Sequence, residues 1–373
     1  MIEGRVADVI VIGAGIVGAA CAHELARHGL QTLVVDDQRG GATAVGMGHL
    51  LVLDDNAAEL ALSNRSLKRW REWGKEMPEG CAYQGNGTLW LAENPEEMAV
   101  AEHKYRVLGE HDIACELLTG AALSEAEPML RQGLHGALKI TGDGIVYAPN
   151  AARWLLQRNP LRVLQRREQV IEVQGNRVRL ADGKWLQADA VILANGIHAT
   201  QLCPELPIEP KKGHLAITDR YPGLVRHTLV ELGYVTSAHH ATGPSVAFNV
   251  QPRPTGQLFI GSSRQFGNTD AAIDPTMLGQ MLQRAQHFLP TLADLNLIRS
   301  WTGFRAATPD GLPMIGEHPQ QPGLWLAVGH EGLGVTTAPA TAELIVAQLL
   351  KRPPPIATTP YRPERLLGNA AHA

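Results

Sequence analysis

Three glycines near the N-terminus have the spacing that binds the pyrophosphate of a nucleotide cofactor. Gly13, Gly15 and Gly18 follow an apolar segment that begins at Val9, and they form the pattern Gly-x-Gly-x-x-Gly. The first glycine permits a tight turn, the second lets the backbone approach the pyrophosphate, and the third lets a helix pack against the strand. The N-terminus of that helix then faces the anion. The pattern therefore predicts a dinucleotide site.

An acidic residue further along restricts which cofactor can bind. Asp36 lies 23 residues after Gly13, where its carboxylate can accept hydrogen bonds from ribose hydroxyls. A carboxylate at this place repels a 2′-phosphate, so we expect a cofactor with an unphosphorylated adenosine. These residues alone leave NAD and FAD as alternatives.

Two other segments favour the more extended cofactor. Residues 40–49 are mostly small, which suits a backbone that follows a long ligand at close range. Ala194, Asn195 and Gly196 end a fully apolar segment that reads as a buried parallel strand. The chain is expected to pass close to the cofactor again at that point.

Hydrophobic periodicity predicts the elements that position these motifs. Residues 9–36 read as a strand, a helix ending at Gly29 and a second strand. Further helices are predicted over residues 56–73, 96–108, 150–157, 275–288 and 336–351, and further strands over 170–173, 177–180, 187–189, 190–194, 257–261 and 324–328. The order of these elements indicates two interleaved domains, with the chain crossing between them more than once.

Composition excludes several classes of protein. The 373 residues carry a formal charge of −4 without a basic block, so nucleic-acid binding is not expected. No segment reaches the roughly 18 apolar residues of a membrane span, so the chain is not expected to be an integral membrane protein. We expect it to be cytoplasmic, with any membrane contact made through partner subunits.

The cysteines and histidines do not predict a metal site. Four cysteines, at positions 21, 81, 115 and 203, are far apart in the sequence, which argues against a zinc knuckle, an iron–sulfur cluster or a disulfide framework. His239 and His240 are adjacent, and neighbours on a regular strand point to opposite faces. We therefore predict no metal.

The whole chain resembles the D-amino-acid oxidase superfamily of FAD-dependent amine oxidoreductases, in its glycine and sarcosine oxidase branch. Besides the N-terminal glycines, the resemblance rests on residues 144–149, 189–196, 256–261, 301–305, 308–313 and 329–334. Gly-His-Glu-Gly-Leu-Gly at 329–334, followed by Val-Thr-Thr-Ala-Pro, looks most like the flavin subunits of opine oxidases, hydrogen cyanide synthase and hydroxyproline or proline dehydrogenases. The resemblance implies a Rossmann-like FAD-binding domain of α/β class, interleaved with an α+β substrate domain built on a mostly antiparallel sheet.

The resemblance also implies roles for single residues. Residues 329–334 would lie against the flavin ring, where backbone N–H groups and the next helix N-terminus stabilise negative charge. Arg305 would clamp the substrate carboxylate. Asn249 falls where relatives place a tyrosine that also touches the carboxylate, and Arg264 falls near the flavin ring. FAD is expected to bind noncovalently, although His49 is conceivable as a covalent anchor. The residues predicted to contact FAD are Gly13, Gly15, Ile16, Val17, Gly18, Asp36, Asp37, Gly41, Ala42, Thr43, Gly46, Met47, Gly48, Val170, Ala194, Asn195, Gly196, Gly303, Gly329, His330, Glu331, Gly332, Leu333, Gly334, Val335 and Thr336.

Two departures from relatives affect the expected chemistry. Some relatives carry a second arginine where this chain has Glu331 and Gly332, so either the carboxylate grip is weaker or a basic or hydroxylated end of the substrate meets Glu331. Sarcosine oxidases carry a lysine above the flavin that promotes reaction with dioxygen, and Phe259 occupies that place here. This difference favours electron delivery to another redox partner.

The expected function is oxidation of the amine of a small amino or imino acid by hydride transfer to FAD. D-Hydroxyproline is the preferred substrate, opines come second, and a partner subunit carrying flavin or an iron–sulfur cluster would take the electrons. A stand-alone glycine or D-amino-acid oxidase, a noncatalytic flavin-binding subunit and an NAD-dependent dehydrogenase are the alternatives. The FAD-binding domain is predicted over 1–80, 143–204 and 300–373, and the substrate domain over 81–142 and 205–299.

Overall fold

A computed structural model describes residues 2–52, 55–233 and 243–368. Its strands are β1 (Ile2–Arg5), β2 (Val9–Ile12), β3 (Thr32–Asp36), β4 (His49–Leu50), β5 (Thr88–Ala92), β6 (Cys115–Leu118), β7 (Gly136–Ile140), β8 (Gly144–Ile145), β9 (Val163–Arg167), β10 (Val170–Gln174), β11 (Arg177–Leu180), β12 (Trp185–Gln187), β13 (Ala190–Leu193), β14 (Glu209–Arg220), β15 (Thr228–Glu231), β16 (Ser245–Pro252), β17 (Gln257–Phe266), β18 (Leu297–Ala307), β19 (Met314–Glu317) and β20 (Leu324–Val328). Its α-helices are α1 (Ile16–Arg27), α2 (Ala42–Val45), α3 (Ala57–Gly74), α4 (Pro95–Glu110), α5 (Gly120–Ala126), α6 (Ala148–Gln157), α7 (Ala199–Leu202), α8 (Pro275–Phe288), α9 (Gly334–Leu349) and α10 (Glu364–Leu367).

The N-terminal glycine motif follows β2, a central strand of a six-stranded sheet. Its strand order is β19-β20-β13-β2-β3-β9, and all neighbours are parallel except β19 and β20. Strands β2 and β13 are buried along their whole length, as expected for central strands of a parallel sheet covered on both faces. This arrangement confirms the Rossmann-like part of the predicted fold.

Local sequence explains where the main helices begin and end. The side chain of Asn56 accepts a hydrogen bond from the backbone N–H of Glu59 and so begins α3, and Asn94 begins α4 in the same way. Helix α1 ends before Gly29, whose φ of 88° suits a residue without a Cβ atom.

A larger, mostly antiparallel sheet forms the second layer of the molecule. Its strand order is β18-β14-β17-β16-β15-β5-β7-β6, and β15 and β5 are the parallel neighbours. Helix α8 packs on this sheet, where the rings of Phe248 and Phe288 stack with centroids 4.4 Å apart. The mixed α/β architecture with a mostly antiparallel second sheet confirms the predicted fold class.

Several element predictions were wrong in detail. Strand β9 was missed because it is an edge strand whose residues are mostly exposed, so it lacks an apolar run. The third strand of the meander covers 185–187 rather than 187–189, β17 extends to Phe266, and the small-residue loop contains α2. The predicted domain boundary at 299/300 falls inside β18, and the domain division itself stays a prediction. None of the described helices is long and apolar enough to span a membrane.

Candidate active site

The predicted pyrophosphate turn has the close packing that requires glycine. Gly13 has a φ of 105°, and a methyl group on it would lie 2.7 Å from the backbone oxygen of Ala194. A methyl group on Gly18 would overlap the backbone oxygen of Gly13. The turn, the first helix and the end of β13 are therefore in direct contact, as the sequence motif predicts.

The first and last glycine motifs meet at one place in the fold. A methyl group on Gly334, at the start of α9, would lie 3.7 Å from Cγ2 of Val17 in the first turn of α1. Two helix N-termini thus lie side by side, and each carries partial positive charge. This is the arrangement that an extended anionic cofactor between the two motifs requires.

Asp36 and Thr43 fix the neighbouring backbone. The Asp36 carboxylate accepts hydrogen bonds from the N–H groups of Ala14 and Gln38, both at 2.7 Å. The hydroxyl of Thr43 accepts a hydrogen bond from the N–H of Ile16 at 3.0 Å. Each Asp36 oxygen retains a second lone pair for a ribose hydroxyl.

The small-residue loop joins the two sheets. Gly41 and Gly46 bound α2, and a methyl group on Gly303 of β18 would overlap the side chain of Val45. The indole N–H of Trp301 donates to the backbone oxygen of Val45 at 2.9 Å. A methyl group on Gly261 would lie 3.1 Å from Sδ of Met47. Residues of the 41–48 loop therefore pack directly against the glycines of the large sheet.

Three other residues predicted to contact FAD lie at or close to the ends of strands. Asn195 follows β13, and its side-chain oxygen is buried without a hydrogen-bonding partner. Asp36 pairs with Arg167 at the end of β9, and β10 begins shortly afterwards at Val170. Asp37 forms an ion pair with Arg39, so its carboxylate is engaged by a neighbouring side chain.

Two amides on β16 lie opposite glycine-bearing β17. Asn249 pairs with Gly261 in register and Gln251 with Phe259. Gln251 is fully buried, yet neither its amide nitrogen nor its amide oxygen has a hydrogen-bonding partner, and the side-chain oxygen of Asn249 also lacks one. Buried polar groups without partners are rare in native proteins, so these atoms fit a polar ligand. The sequence prediction missed Gln251, although its alternation with Asn249 on one strand was a usable signal.

Arg305 lies in a slot between two glycines. A methyl group on Gly213 would lie 2.7 Å from its Nη1 atom, and one on Gly332 would lie 3.4 Å from its Nε atom. Its Nη1 group donates to the backbone oxygen of Ser263 at 3.2 Å. The guanidinium is therefore held beside the 329–334 loop, where the predicted carboxylate site lies.

Glu331 does not stand alone in this loop. Its carboxylate accepts a hydrogen bond from the ammonium group of Lys211, a residue that the sequence prediction missed. Its backbone N–H donates to the oxygen of Ala306 at 2.8 Å, and its φ of 48° is a left-handed conformation that is uncommon outside glycine. The structure therefore places an ion pair next to Arg305.

The remaining loop residues have mainly structural side-chain roles. The His330 ring is buried and lies 3.0 Å from the hydroxyl of Thr341, and burial lowers the His330 pKa to about 4. Thr336 donates to the backbone oxygen of His49 at 2.9 Å, and the backbone oxygen of Val335 accepts from the Trp70 indole at 3.0 Å. Gly329 has a φ of 79°, and the backbone N–H of Leu333 donates to the backbone oxygen of His330. Any contact of His330 with FAD would come from its backbone.

Two further predictions concern Arg264 and the adjacent histidines at 239 and 240. Arg264 lies on β17, next to Ser263 and opposite Ser245, and its place near the flavin ring stays a prediction. His239 and His240 lie outside the described residues.

One group of metal-type ligands is assembled away from the motifs. Ligand atoms of Cys203, Glu205 and His318 lie within 4.8 Å of one another. The Nδ1 atom of His318 accepts the N–H of Gln320 at 3.2 Å, and its Nε2 atom lies 3.2 Å from the Glu205 carboxylate. An imidazole that accepts through Nδ1 carries its proton on Nε2, but the buried Nε2 atom makes no hydrogen bond within the described part of the chain. The predicted absence of a metal stays a prediction.

A buried carboxyl group, that of Asp143, lies immediately before β8. Asp143 is fully buried, accepts a hydrogen bond from the N–H of Val52 at 3.0 Å, and is also hydrogen-bonded by Thr88. The Thr88 hydroxyl in turn lies 3.0 Å from Nε2 of His49. Burial raises the pKa of Asp143 from 3.8 to about 7 and lowers that of His49 to about 3.

Replacing Asp143 by asparagine is expected to stabilise the protein at alkaline pH. Between about pH 4 and 7 the folded protein keeps a proton that the unfolded chain loses, so the free energy of unfolding falls as pH rises. This loss of unfolding free energy is complete above about pH 7 and amounts to about 4 kcal/mol at most. Urea unfolding of the FAD-loaded protein should show a larger gain for Asp143→Asn at pH 8 than at pH 5. An equal gain at both values would contradict the assignment, and Asp182→Asn is the exposed control.

Comparison with known proteins agrees with this geometry. The model of the family described as DAO, FAD dependent oxidoreductase, matches residues 8–348. The chain is 28% identical to glycine oxidase from Geobacillus kaustophilus, with 92% of this chain and 93% of the relative covered. It is 26% identical to an opine oxidase subunit from Agrobacterium tumefaciens, with 91% and 92% covered.

The same relationship appears in three dimensions. The crystal structure of glycine oxidase from Geobacillus kaustophilus matches with a TM-score of 0.84 at 25% identity, over 95% of this chain and 98% of that chain. The glycine turn at residues 13–18, the paired N-termini of α1 and α9 and the buried amides without partners among the described residues all fit FAD, the cofactor of this family. The chain belongs to the DAO family of FAD-dependent oxidoreductases.

Proposed function

We propose that this protein dehydrogenates the amine of a small amino or imino acid, with a cyclic imino acid such as D-hydroxyproline preferred, and passes the electrons to a partner redox subunit. The observation that carries the proposal is Arg305 in its slot between Gly213 and Gly332. A guanidinium at this place can bind a carboxylate through two parallel hydrogen bonds. Such a clamp orients an amino acid for reaction at its α-carbon.

FAD, when bound, supplies the acceptor for the hydride. The protein contributes alignment, a polar wall and exclusion of water. Residues 329–334 would lie beside the ring, and the α9 N-terminus would favour negative charge at the near edge of the reduced cofactor. Asn249 and Gln251 would supply hydrogen bonds to cofactor or substrate from the opposite strand.

The preference for a dehydrogenase has two supports. The resemblance puts Phe259 where sarcosine oxidases carry an oxygen-activating lysine, and the Phe259 ring packs edge-on against Trp301 with centroids 5.7 Å apart. One relative, the opine oxidase protein, is by name one component of a larger enzyme. The choice of D-hydroxyproline rests on the resemblance of the 329–339 segment alone, with opines as the second choice.

An anaerobic screen of D- and L-amino acids, proline, hydroxyproline isomers and opines tests the proposed activity. Substrates should bleach the flavin absorbance of the purified protein, and D-hydroxyproline should do so at the lowest concentration. A flavin that no compound in the panel bleaches would contradict the proposal and favour a noncatalytic flavin-binding subunit.

Stand-alone glycine or D-amino-acid oxidation is the second candidate, favoured by the glycine oxidase relative. It predicts rapid oxygen consumption and release of hydrogen peroxide by the purified protein. The dehydrogenase predicts slow oxygen consumption and fast reduction of an artificial dye with the same substrate. A ratio of dye rate to oxygen rate below one would reject the proposal of a separate electron-accepting partner.

A further inference from the structure

Lys211 and Arg305 are cross-strand neighbours on the large sheet. The register of β14 and β18 pairs the two residues directly, and side chains on opposed residues of neighbouring strands extend from the same face about 5 Å apart. Lys211 is buried, which is uncommon for lysine unless its charge is paired. The structure therefore places two cations together at the predicted carboxylate site.

The position of the Lys211 ammonium group is fixed from two sides. It donates to the Glu331 carboxylate and lies 4.8 Å from the centroid of the Phe266 ring, within the range of a cation–π contact. Glu331 is itself held by its backbone bond to Ala306, one residue after Arg305. Lysine, glutamate and arginine are thus tied to one short stretch of β18.

The charges of these three side chains leave one net positive charge. A single substrate carboxylate would neutralise it, whereas a cationic substrate end would add to it. The structure also changes the expectation that Glu331 meets a basic or hydroxylated end of the substrate, because its carboxylate is engaged by Lys211.

We propose that Lys211 is a second cation of the substrate-carboxylate site and that Glu331 is its resident counter-ion. A carboxylate clamped by Arg305 would also accept a hydrogen bond from the Lys211 ammonium group, in competition with Glu331. Lys211 thereby takes the place of the second arginine that this loop lacks. This inference rests on the proposed function, since it assumes that a carboxylate-bearing substrate binds at Arg305.

The test uses the FAD-loaded protein and cyclopentanecarboxylate, which has the ring and carboxylate of proline but no amine to oxidise. Its dissociation constant is measured from the change in flavin absorbance. Lys211→Met should weaken binding by at least about tenfold, since hydrogen bonds between charged groups are strong. Lys211→Arg should restore most of the affinity, and Lys211→Gln replaces the methionine variant if that protein does not fold.

Two controls separate a direct role from a structural one. Cyclopentanecarboxamide, which has no charge, should bind wild type and Lys211→Met equally. Glu331→Gln removes the competing carboxylate and should tighten binding of cyclopentanecarboxylate several-fold. If Lys211 were merely structural, its replacement by methionine would weaken the binding of both probes. Glu331→Gln would then not change the affinity for cyclopentanecarboxylate in the opposite direction.

The inference is overturned if Lys211→Met changes the carboxylate dissociation constant by less than twofold, or if the wild-type protein shows no saturable binding. An unchanged affinity in Glu331→Gln would overturn the counter-ion role. Failure of the proposed function has a different signature, because no amine would then bleach the flavin while cyclopentanecarboxylate still bound in a Lys211-dependent way.

Discussion

Replacing Arg305 by methionine is expected to weaken the binding of the amino-acid substrate by roughly 30-fold to 900-fold. The variant removes both guanidinium hydrogen bonds to the carboxylate, and a charge-assisted pair of this kind contributes about 2–4 kcal/mol. Methionine approximates the length of the arginine stem, so it keeps much of the packing in the slot between Gly213 and Gly332. The loss should therefore appear in substrate binding and leave FAD content unchanged.

The measurement is the half-saturation concentration for anaerobic flavin bleaching in wild type and variant. Arg299→Met is the matched control, because Arg299 lies on the same strand, is exposed and contacts the ring of Trp301. An Arg305 variant with an unchanged half-saturation concentration would rule out the carboxylate clamp. A control variant with an equal loss would point to damage of β18 instead.

Placing a carboxylate at position 15 is expected to abolish FAD binding without unfolding the protein. Gly15 precedes α1 with φ −63° and ψ 174°, a conformation open to any residue. Apart from its chain neighbours, the one described atom within 4 Å of a Cβ there would be the hydroxyl oxygen of Thr43, at 3.1 Å. Aspartate is a favourable residue at the start of a helix, so the fold should tolerate Gly15→Asp, whereas Gly13 and Gly18 substitutions would strain the turn itself.

The added charge would face the site of the cofactor pyrophosphate. Juxtaposed like charges cost several kcal/mol, so the dissociation constant for FAD should rise by at least about 100-fold. The readouts are flavin content after purification and far-ultraviolet circular dichroism. Gly109→Asp is the control, because a Cβ on this α4 residue would meet no described atom within 4 Å outside its chain neighbours and its own helix backbone. A Gly15→Asp protein that purifies with one FAD per chain would contradict the placement of the cofactor.

Gly15 immediately precedes the first helix, and Arg305 belongs to the edge strand of the second sheet. The contact between Gly334 and Val17 joins these regions, since α9 begins beside the first turn of α1. A single cofactor between them explains why the chain must cross between the two sheets more than once.

The sequence by itself determined the cofactor and the fold class. Gly13 and Gly18 act through the backbone and Asp36 through its carboxylate, all within one local strand–helix–strand unit, so their spacing along the chain is enough to predict the geometry of the turn. Long apolar strands and strongly periodic helices, such as α8, were predicted within a residue or two because local hydrophobic pattern dominates their placement.

Only the tertiary structure decided which polar side chains lie together. Lys211 and Glu331 are 120 residues apart, and only the assembled sheet shows that the buried amide of Gln251 lacks hydrogen-bonding partners among the described residues. Their juxtaposition depends on the register between β14 and β18 and on the loop pinned at Ala306. Turn geometry fixes the register of strands that a hairpin joins, but β14 and β18 are separated by β15, β16, β17 and α8 along the chain. The partner of Glu331 therefore became visible only when the sheet was assembled.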